Sequence, residues 1–250
     1  MELYPAIDLL DGRLVRLTQG DYRAETVYGD DPVAVAVDFA RAGARWIHVV
    51  DLDAARTGEP VNRALVGAIA AAVAPDGVRV QSGGGVRDRA GARALWAAGV
   101  SRVVVGTAAV EDPALVAALA SERPDGVAVG IDARQGEVVV RGWLEGSGQR
   151  AADVLGRLGG IGVSAVVVTD VARDGMLMGP DATGLTSVLA GAPPGVDVIA
   201  SGGVATVEDL ALLAGVSVGG RRLAGVIVGK ALYEGRFSVS EGVAACAVSA

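Results

Sequence analysis

Cysteine is almost absent from this chain: Cys246 is the only one in 250 residues. A single thiol excludes an intramolecular disulfide and a thiolate zinc site. Histidine is equally scarce. His48 stands alone inside an apolar run with no ligand-type partner nearby in sequence, so a packed, hydrogen-bonded imidazole is expected and a metal site is not. Lysine is reduced to Lys230, against many arginines and alanines, a bias of base composition more than of chemistry. An excess of positive charge is missing as well. The formal net charge of −7 argues against nucleic-acid binding and against a polybasic membrane surface, both of which need clustered cations. An anionic small molecule must then be held by local donors. Met1-Glu2-Leu3-Tyr4-Pro5 has neither a basic nor an apolar leader region, and the longest helical apolar stretch, around Val66 to Pro75, falls far short of the ~20 residues of a membrane span. The cytoplasm is the expected compartment. No Gly-x-Ser-x-Gly, Walker loop or dinucleotide fingerprint occurs, which leaves acid–base chemistry without a cofactor as the expectation.

What is present is an alternation. Short β-branched runs at Leu3–Ile7, Trp46–Asp51, Val78–Ser82, Arg102–Gly106, Val127–Asp132, Ala165–Asp170, Val198–Ser201 and Gly225–Gly229 are separated by Ala/Leu-rich segments of helical period. Most of the runs are apolar throughout, the mark of parallel strands covered on both faces. Asp31-Pro32 and Asp112-Pro113 place an N-cap acceptor before a Pro at the first helical position, and Thr206 followed by Glu208 and Asp209 marks another helix start. With no Pro/Ser linker or composition break, residues 1–250 read as one domain.

The chain also repeats itself. Ser82-Gly83-Gly84 resembles Ser201-Gly202-Gly203, Gly106-Thr107-Ala108 resembles Gly229-Lys230-Ala231, Ile7-Asp8 resembles Ile131-Asp132, and Val50-Asp51 resembles Thr169-Asp170. The offsets are 201−82 = 119, 229−106 = 123, 132−8 = 124 and 170−51 = 119. An open doubly wound sheet has no reason to repeat at half its length, whereas a (β/α)₈ TIM barrel made of two similar half-barrels does.

In such a barrel the site lies at the C-terminal strand ends. Gly83, Gly84, Gly106, Gly202, Gly203 and Gly229 leave backbone N–H groups bare there, beside Thr107 and Lys230, so phosphate oxygens can approach. Two such ends across one mouth suit a substrate with a phosphate at each end; alternatively, the glycines only turn tight loops. Asp8, Asp132 and Asp174 are the candidate acid–base carboxylates, because facing carboxylates in a desolvated mouth take different pKa values. Asp8 and Asp132 could instead accept loop N–H groups and only shape the mouth. Asp51 and Asp53 read as loop-ordering. Ser82 and Thr169 stand at strand ends. Arg16 and Arg141, on the long loops after strands one and five, form either an anion clamp or part of a solvated surface, and Trp143 either covers a planar heterocycle or anchors a lid.

The segments Pro5-Ala6-Ile7-Asp8, Gly12-Arg13-Leu14-Val15-Arg16-Leu17, Val50-Asp51-Leu52-Asp53-Ala54-Ala55, Gly58-Glu59-Pro60-Val61-Asn62, Ser82-Gly83-Gly84-Gly85-Val86-Arg87, Thr169-Asp170 with Arg173-Asp174-Gly175, and Gly229-Lys230-Ala231-Leu232-Tyr233 together resemble the ProFAR isomerase family of histidine biosynthesis, collinearly from residue 3 to about 237. The resemblance implies an Amadori rearrangement of a bisphosphorylated aminoaldose to its aminoketose. By analogy, Asp174 opens the ribose ring as acid, Asp8 removes the C2′ proton, and Asp132 and Thr169 hydrogen-bond the ribose and the acid. Whether Asp132 or Asp174 gives the first proton stays open. The dual-substrate relative that also isomerises phosphoribosylanthranilate is compatible with Arg141-Gly142-Trp143 and with Asp51–Ala55. Gly58–Asn62 and Leu144-Glu145-Gly146-Ser147-Gly148 look more like the single-substrate enzyme. The related imidazole glycerol phosphate synthase cyclase barrel shares the aspartates but fits Arg16 and Trp143 less well. A phosphate-binding scaffold without activity fits the three acidic residues poorly. No protein partner is implied.

Overall fold

The computed structural model describes residues 1–143 and 145–247. Eight parallel strands close on themselves: β1 (Glu2–Leu10), β2 (Trp46–Asp51), β3 (Arg79–Gly83), β4 (Arg102–Val105), β5 (Val127–Arg134), β6 (Ala165–Asp170), β7 (Asp197–Ser201) and β8 (Gly225–Val228). Each pairs with its neighbours in sequence, and β8 pairs with β1 through Glu2↔Gly225 to Pro5↔Val228, which seals the barrel. The expected (β/α)₈ architecture is present, with all eight strands where the apolar runs put them.

The residues explain the closure. Inward-facing Ala6, Ala128, Ala165, Val167, Ile199 and Ile227 pack together inside the barrel, with Tyr4 and Trp46 among them. Outward-facing Leu3, Ile7, Ile47, Val49, Val103, Val129, Val166 and Val226 pack against the helices in the larger outer core. Runs apolar on both faces thus serve two cores at once. The helix starts follow the capping rule. The Asp31 carboxylate accepts from the Ala34 N–H at 3.0 Å, the Asp112 carboxylate caps the helix Pro113–Glu122, and Thr206 with Asp209 forms a reciprocal capping box. Each such cap stabilises its helix by about 1 kcal/mol.

The segments after strands one and five are not open loops. β1 turns back into the antiparallel strands Arg13–Thr18 and Asp21–Gly29, and β5 into Glu137–Val140 and Glu145–Arg150. The cause is local: Asp11-Gly12, Gln19-Gly20 and Gln135-Gly136 each carry two successive positive φ values, the two-residue turn whose twist matches antiparallel strands. The halves correspond here as well, because each opens with a strand that extends into a hairpin over the mouth. Asp51 and Asp53 brace the first hairpin. Asp51 accepts from the Ala54 N–H and from Asn62, Asp53 accepts from the Asp11 N–H at 2.7 Å, and Asn62 accepts from the Gly12 N–H at 2.9 Å. Among the described residues no helix is long and apolar enough to cross a membrane.

Candidate active site

The C-terminal strand ends surround a cavity of about 720 Å³. Asp8, at the end of β1, faces Arg16 on the hairpin that follows it, with Nη1 2.8 Å from Oδ2. Both are buried. Gly229 makes this possible, since a Cβ there would overlap the Arg16 guanidinium. Burial pushes the Asp8 carboxyl up to about 6; the Arg16 charge pulls against that shift and the Asp174 charge adds to it. Arg16 Nε has no partner among the described residues.

Asp132 and Asp174 line the same cavity. Burial raises both. At Asp132 the rise is opposed by hydrogen bonds from Trp143, whose Nε1–H donates to Oδ2 at 2.8 Å, and from Thr169. At Asp174 only the charges of Arg16 and Lys230 oppose it. Asp132 thus accepts from two donors, whereas no hydrogen bond opposes the rise at Asp174. The loop that presents Asp174 is built from its own chain. Its N–H donates to the Asp170 carbonyl at 3.0 Å, Arg173 pairs with Asp170 at 3.1 Å, and Arg173 also donates to the Gly179 carbonyl. Lys230 Nζ donates to the Gly175 carbonyl at 2.9 Å.

The glycine ends fall on both sides of the mouth, with Gly202 and Gly203 answering to Gly84 and Gly85, one residue on from the pairing that the sequence repeat suggests. Gly202, Gly203, Gly229 and Lys230 share a small recess with Arg16, Asp174 and Ser201, while Gly83, Gly84, Gly106 and Thr107 line the main cavity. Gly106 and Gly229 each precede a short helix, Thr107–Glu111 and Lys230–Tyr233, with similar backbone angles. Gly84 and Gly203 have φ of +94° and +87°, and a Cβ on either would overlap a carbonyl oxygen, of Asp51 and Gly179 respectively. Bulk at these two positions would therefore disturb the backbone and not simply fill a subsite. Gly106 has open space around it, so Gly106→Ala is the cleaner probe. Alanine keeps the backbone N–H but sets a methyl group in the space a phosphate oxygen would use to reach it. If that N–H holds a phosphate, KM should rise about ten- to 150-fold, the equivalent of one charge-assisted hydrogen bond displaced, with kcat less changed. Steady-state kinetics check this, and an unchanged KM would remove Gly106 from the substrate's path.

Ser82 requires a correction. Val50 pairs with Gly83, and the equivalent Thr169 pairs with Ser201. Ser201 is therefore the counterpart of Gly83, at an offset of 201−83 = 118, and not of Ser82. Side chains alternate along a strand, so this single-residue step turns Ser82 outward, with its hydroxyl buried and unpartnered beside the Asp51 loop, while Ser201 faces the cavity. Arg141 lies at the rim, and its guanidinium is engaged by Glu111 at 3.4 Å and Glu145 at 3.2 Å. Its N–H donates to Thr107 Oγ1 at 2.8 Å. The Trp143 ring lies against Gly20 of the first hairpin, where a side chain would collide with it. It thus spans the mouth from one hairpin to the other. Leu144 lies outside the described residues.

Residues 2–238 match the model of a family described as histidine biosynthesis protein. This chain belongs to that family. It is 48% identical over 248 residues to a protein of Symbiobacterium thermophilum, covering 98% of this chain and 97% of that one. It is 46% identical over 243 residues to one of Herpetosiphon aurantiacus, covering 97% of each. A protein of Gloeothece citriformis is 46% identical over 245 residues, 98% of this chain and 93% of that one. All three relatives are named 1-(5-phosphoribosyl)-5-((5-phosphoribosylamino)methylideneamino) imidazole-4-carboxamide isomerase. The sequence places Ser201 at a strand end without giving it a role, and offers no sign that His48 and Gly85 line the cavity. The places of His48 and Ser201 follow from the register between strands, which sets His48 level with Ala6 and Ser201 level with Thr169.

Proposed function

We propose that the chain isomerises the bisphosphorylated aminoaldose ProFAR to the aminoketose PRFAR, an Amadori rearrangement within histidine biosynthesis. The observation that carries this reading is the set of three buried carboxylates around one cavity, Asp8 paired with Arg16, between two glycine-lined ends. The relatives' names specify a compound with two phosphoribosyl groups, which matches the two ends. Asp174 protonates the ribose ring oxygen as the C1′–O bond breaks and a Schiff base forms. Asp8 then takes the C2′ proton, and the resulting enolamine gains a proton at C1′ to become the ketose. Asp132, held by Trp143 and Thr169, orients the ribose hydroxyls. Arg16 neutralises the charge beside Asp8 and keeps it ionised at neutral pH. The reactant is a small molecule.

Two outcomes follow. A general base works only when ionised and a general acid only when protonated, so kcat/KM should rise with pH through about 6 as Asp8 ionises and fall again at higher pH as Asp174 loses its proton. A profile flat down to pH 5 would remove Asp8 from this role. Substrate range is the second. Phosphoribosylanthranilate carries one phosphate and a carboxylate, which the guanidinium of Arg141 would have to bind. That group is already engaged by Glu111 and Glu145. Turnover of the anthranilate compound should be absent or weak. Comparable kcat/KM on both substrates, with the anthranilate activity alone lost in Arg141→Ala, would establish the dual-substrate alternative.

A further inference from the structure

Beneath the carboxylates the barrel holds a polar chain that the reaction above does not use. His48, Gln81 and Arg102 are register partners on β2, β3 and β4, and all three are buried. Arg102 Nε donates to Gln81 Oε1 at 2.7 Å, and Gln81 Nε2 lies 3.0 Å from His48 Nδ1. A guanidinium can only donate, so the Gln81 atom facing it must be the amide oxygen. The amide nitrogen then faces His48 and can only donate in turn. Nδ1 must accept, which leaves the proton of a neutral ring on Nε2. Arg102 is itself fixed. Its Nη2 donates to the Tyr4 hydroxyl at 2.9 Å, and its guanidinium lies 4.5 Å from the centre of the Trp46 ring, with no carboxylate in ion-pair contact among the described residues. A cation held without an acid keeps its hydrogens directed at the glutamine. The His48 ring makes no other hydrogen bond among the described residues, yet it lines the floor of the main cavity, one inward-facing layer below Asp8.

We propose that the Arg102–Gln81 chain holds His48 as the neutral Nε2–H tautomer, and that this N–H donates a hydrogen bond to an oxygen of the sugar-phosphate substrate on the cavity floor. Gln81 and Arg102 are then positioning residues. Burial and the charges of Arg16 and Arg102 push the ring down to about 3, so it stays neutral across the working range. The donor role rests on the isomerase reading; the tautomer does not.

The chain has one histidine, so a protein labelled with ¹⁵N-histidine gives one imidazole spectrum. The expected spectrum has a protonated Nε2 and a bare Nδ1, unchanged from about pH 5 to pH 8, and the Nε2 signal moves when the aminoaldose or aminoketose is added. Gln81→Glu keeps the shape but presents only acceptors to both neighbours. It should draw the proton to Nδ1 and lower kcat/KM about three- to tenfold, the loss of one hydrogen bond. A wild-type proton on Nδ1, or a ring that titrates in that range, overturns the tautomer. An Nε2 signal indifferent to the substrate, or a full kcat/KM in a Gln81→Glu enzyme whose proton has moved, overturns the donor. If Gln81→Glu does not fold, the wild-type spectrum with and without substrate decides both points. A wild-type protein that fails to turn over the aminoaldose refutes the isomerase reading, whatever the ring shows. One that turns it over with the proton on Nδ1 refutes this inference alone.

Discussion

Replacing Asp8 with asparagine should lower kcat by about 10²–10⁴-fold and leave KM within a few-fold. The amide keeps the volume of the carboxyl and its place at the end of β1, but has no basic lone pair for the C2′ proton. Arg16 is the other end of a buried pair, with side chains about a tenth exposed, so the variant also leaves a buried guanidinium without its anion. Loss of stability must therefore be separated from loss of chemistry. The folded fraction is measured first, by thermal unfolding, and kcat is expressed per folded molecule. An Asn variant that keeps more than about a tenth of wild-type kcat would move the base elsewhere in the cavity, with Asp174 the next candidate by position.

Asp174→Asn should cost about 10²–10⁴-fold in kcat for the complementary reason, the loss of the proton that opens the ribose ring. Asp132→Asn should cost less, since an amide can still meet the Trp143 and Thr169 side chains and the ribose hydroxyls. The two variants thus answer the question the sequence leaves open. A larger loss in Asp132→Asn than in Asp174→Asn would exchange their roles. Asp174→Asn carries a second signature. Its carboxylate is one of the groups that raise Asp8, and it competes for the same Arg16. With that charge gone, Asp8 ionises more easily, and the acid limb of its residual pH profile should move below about 6.

The barrel was legible because its physics is local. A strand covered on both faces must be apolar throughout, an Asp-Pro must start a helix, and a half-length repeat has few folds to go to. Asp8 and Asp132 were legible as candidates for the same reason, as acidic residues that end apolar runs, whereas Asp174 lies in the loop beyond its strand and was marked by the Arg173-Asp174-Gly175 resemblance. The hairpins over the mouth were written in Asp11-Gly12, Gln19-Gly20 and Gln135-Gly136, yet the polar residues between these turns read as loop. The Ser82–Ser201 equivalence failed because a glycine-rich stretch aligns with itself at two offsets. Only the pairing of Val50 with Gly83 and Thr169 with Ser201 selects one, and that pairing joins residues more than thirty apart. The His48–Gln81–Arg102 chain is further out of reach. Each member is unremarkable in its own strand, and their relation exists only when three strands lie in register.

The most direct measurement is conversion of the aminoaldose by the purified wild-type chain in D₂O, with the product examined by NMR. Loss of the C2′ proton followed by protonation at C1′ predicts an aminoketose with one solvent-derived deuterium at C1′, formed catalytically. A correctly folded protein that leaves the aminoaldose unchanged, or a product with no solvent deuterium at that carbon, would contradict the account.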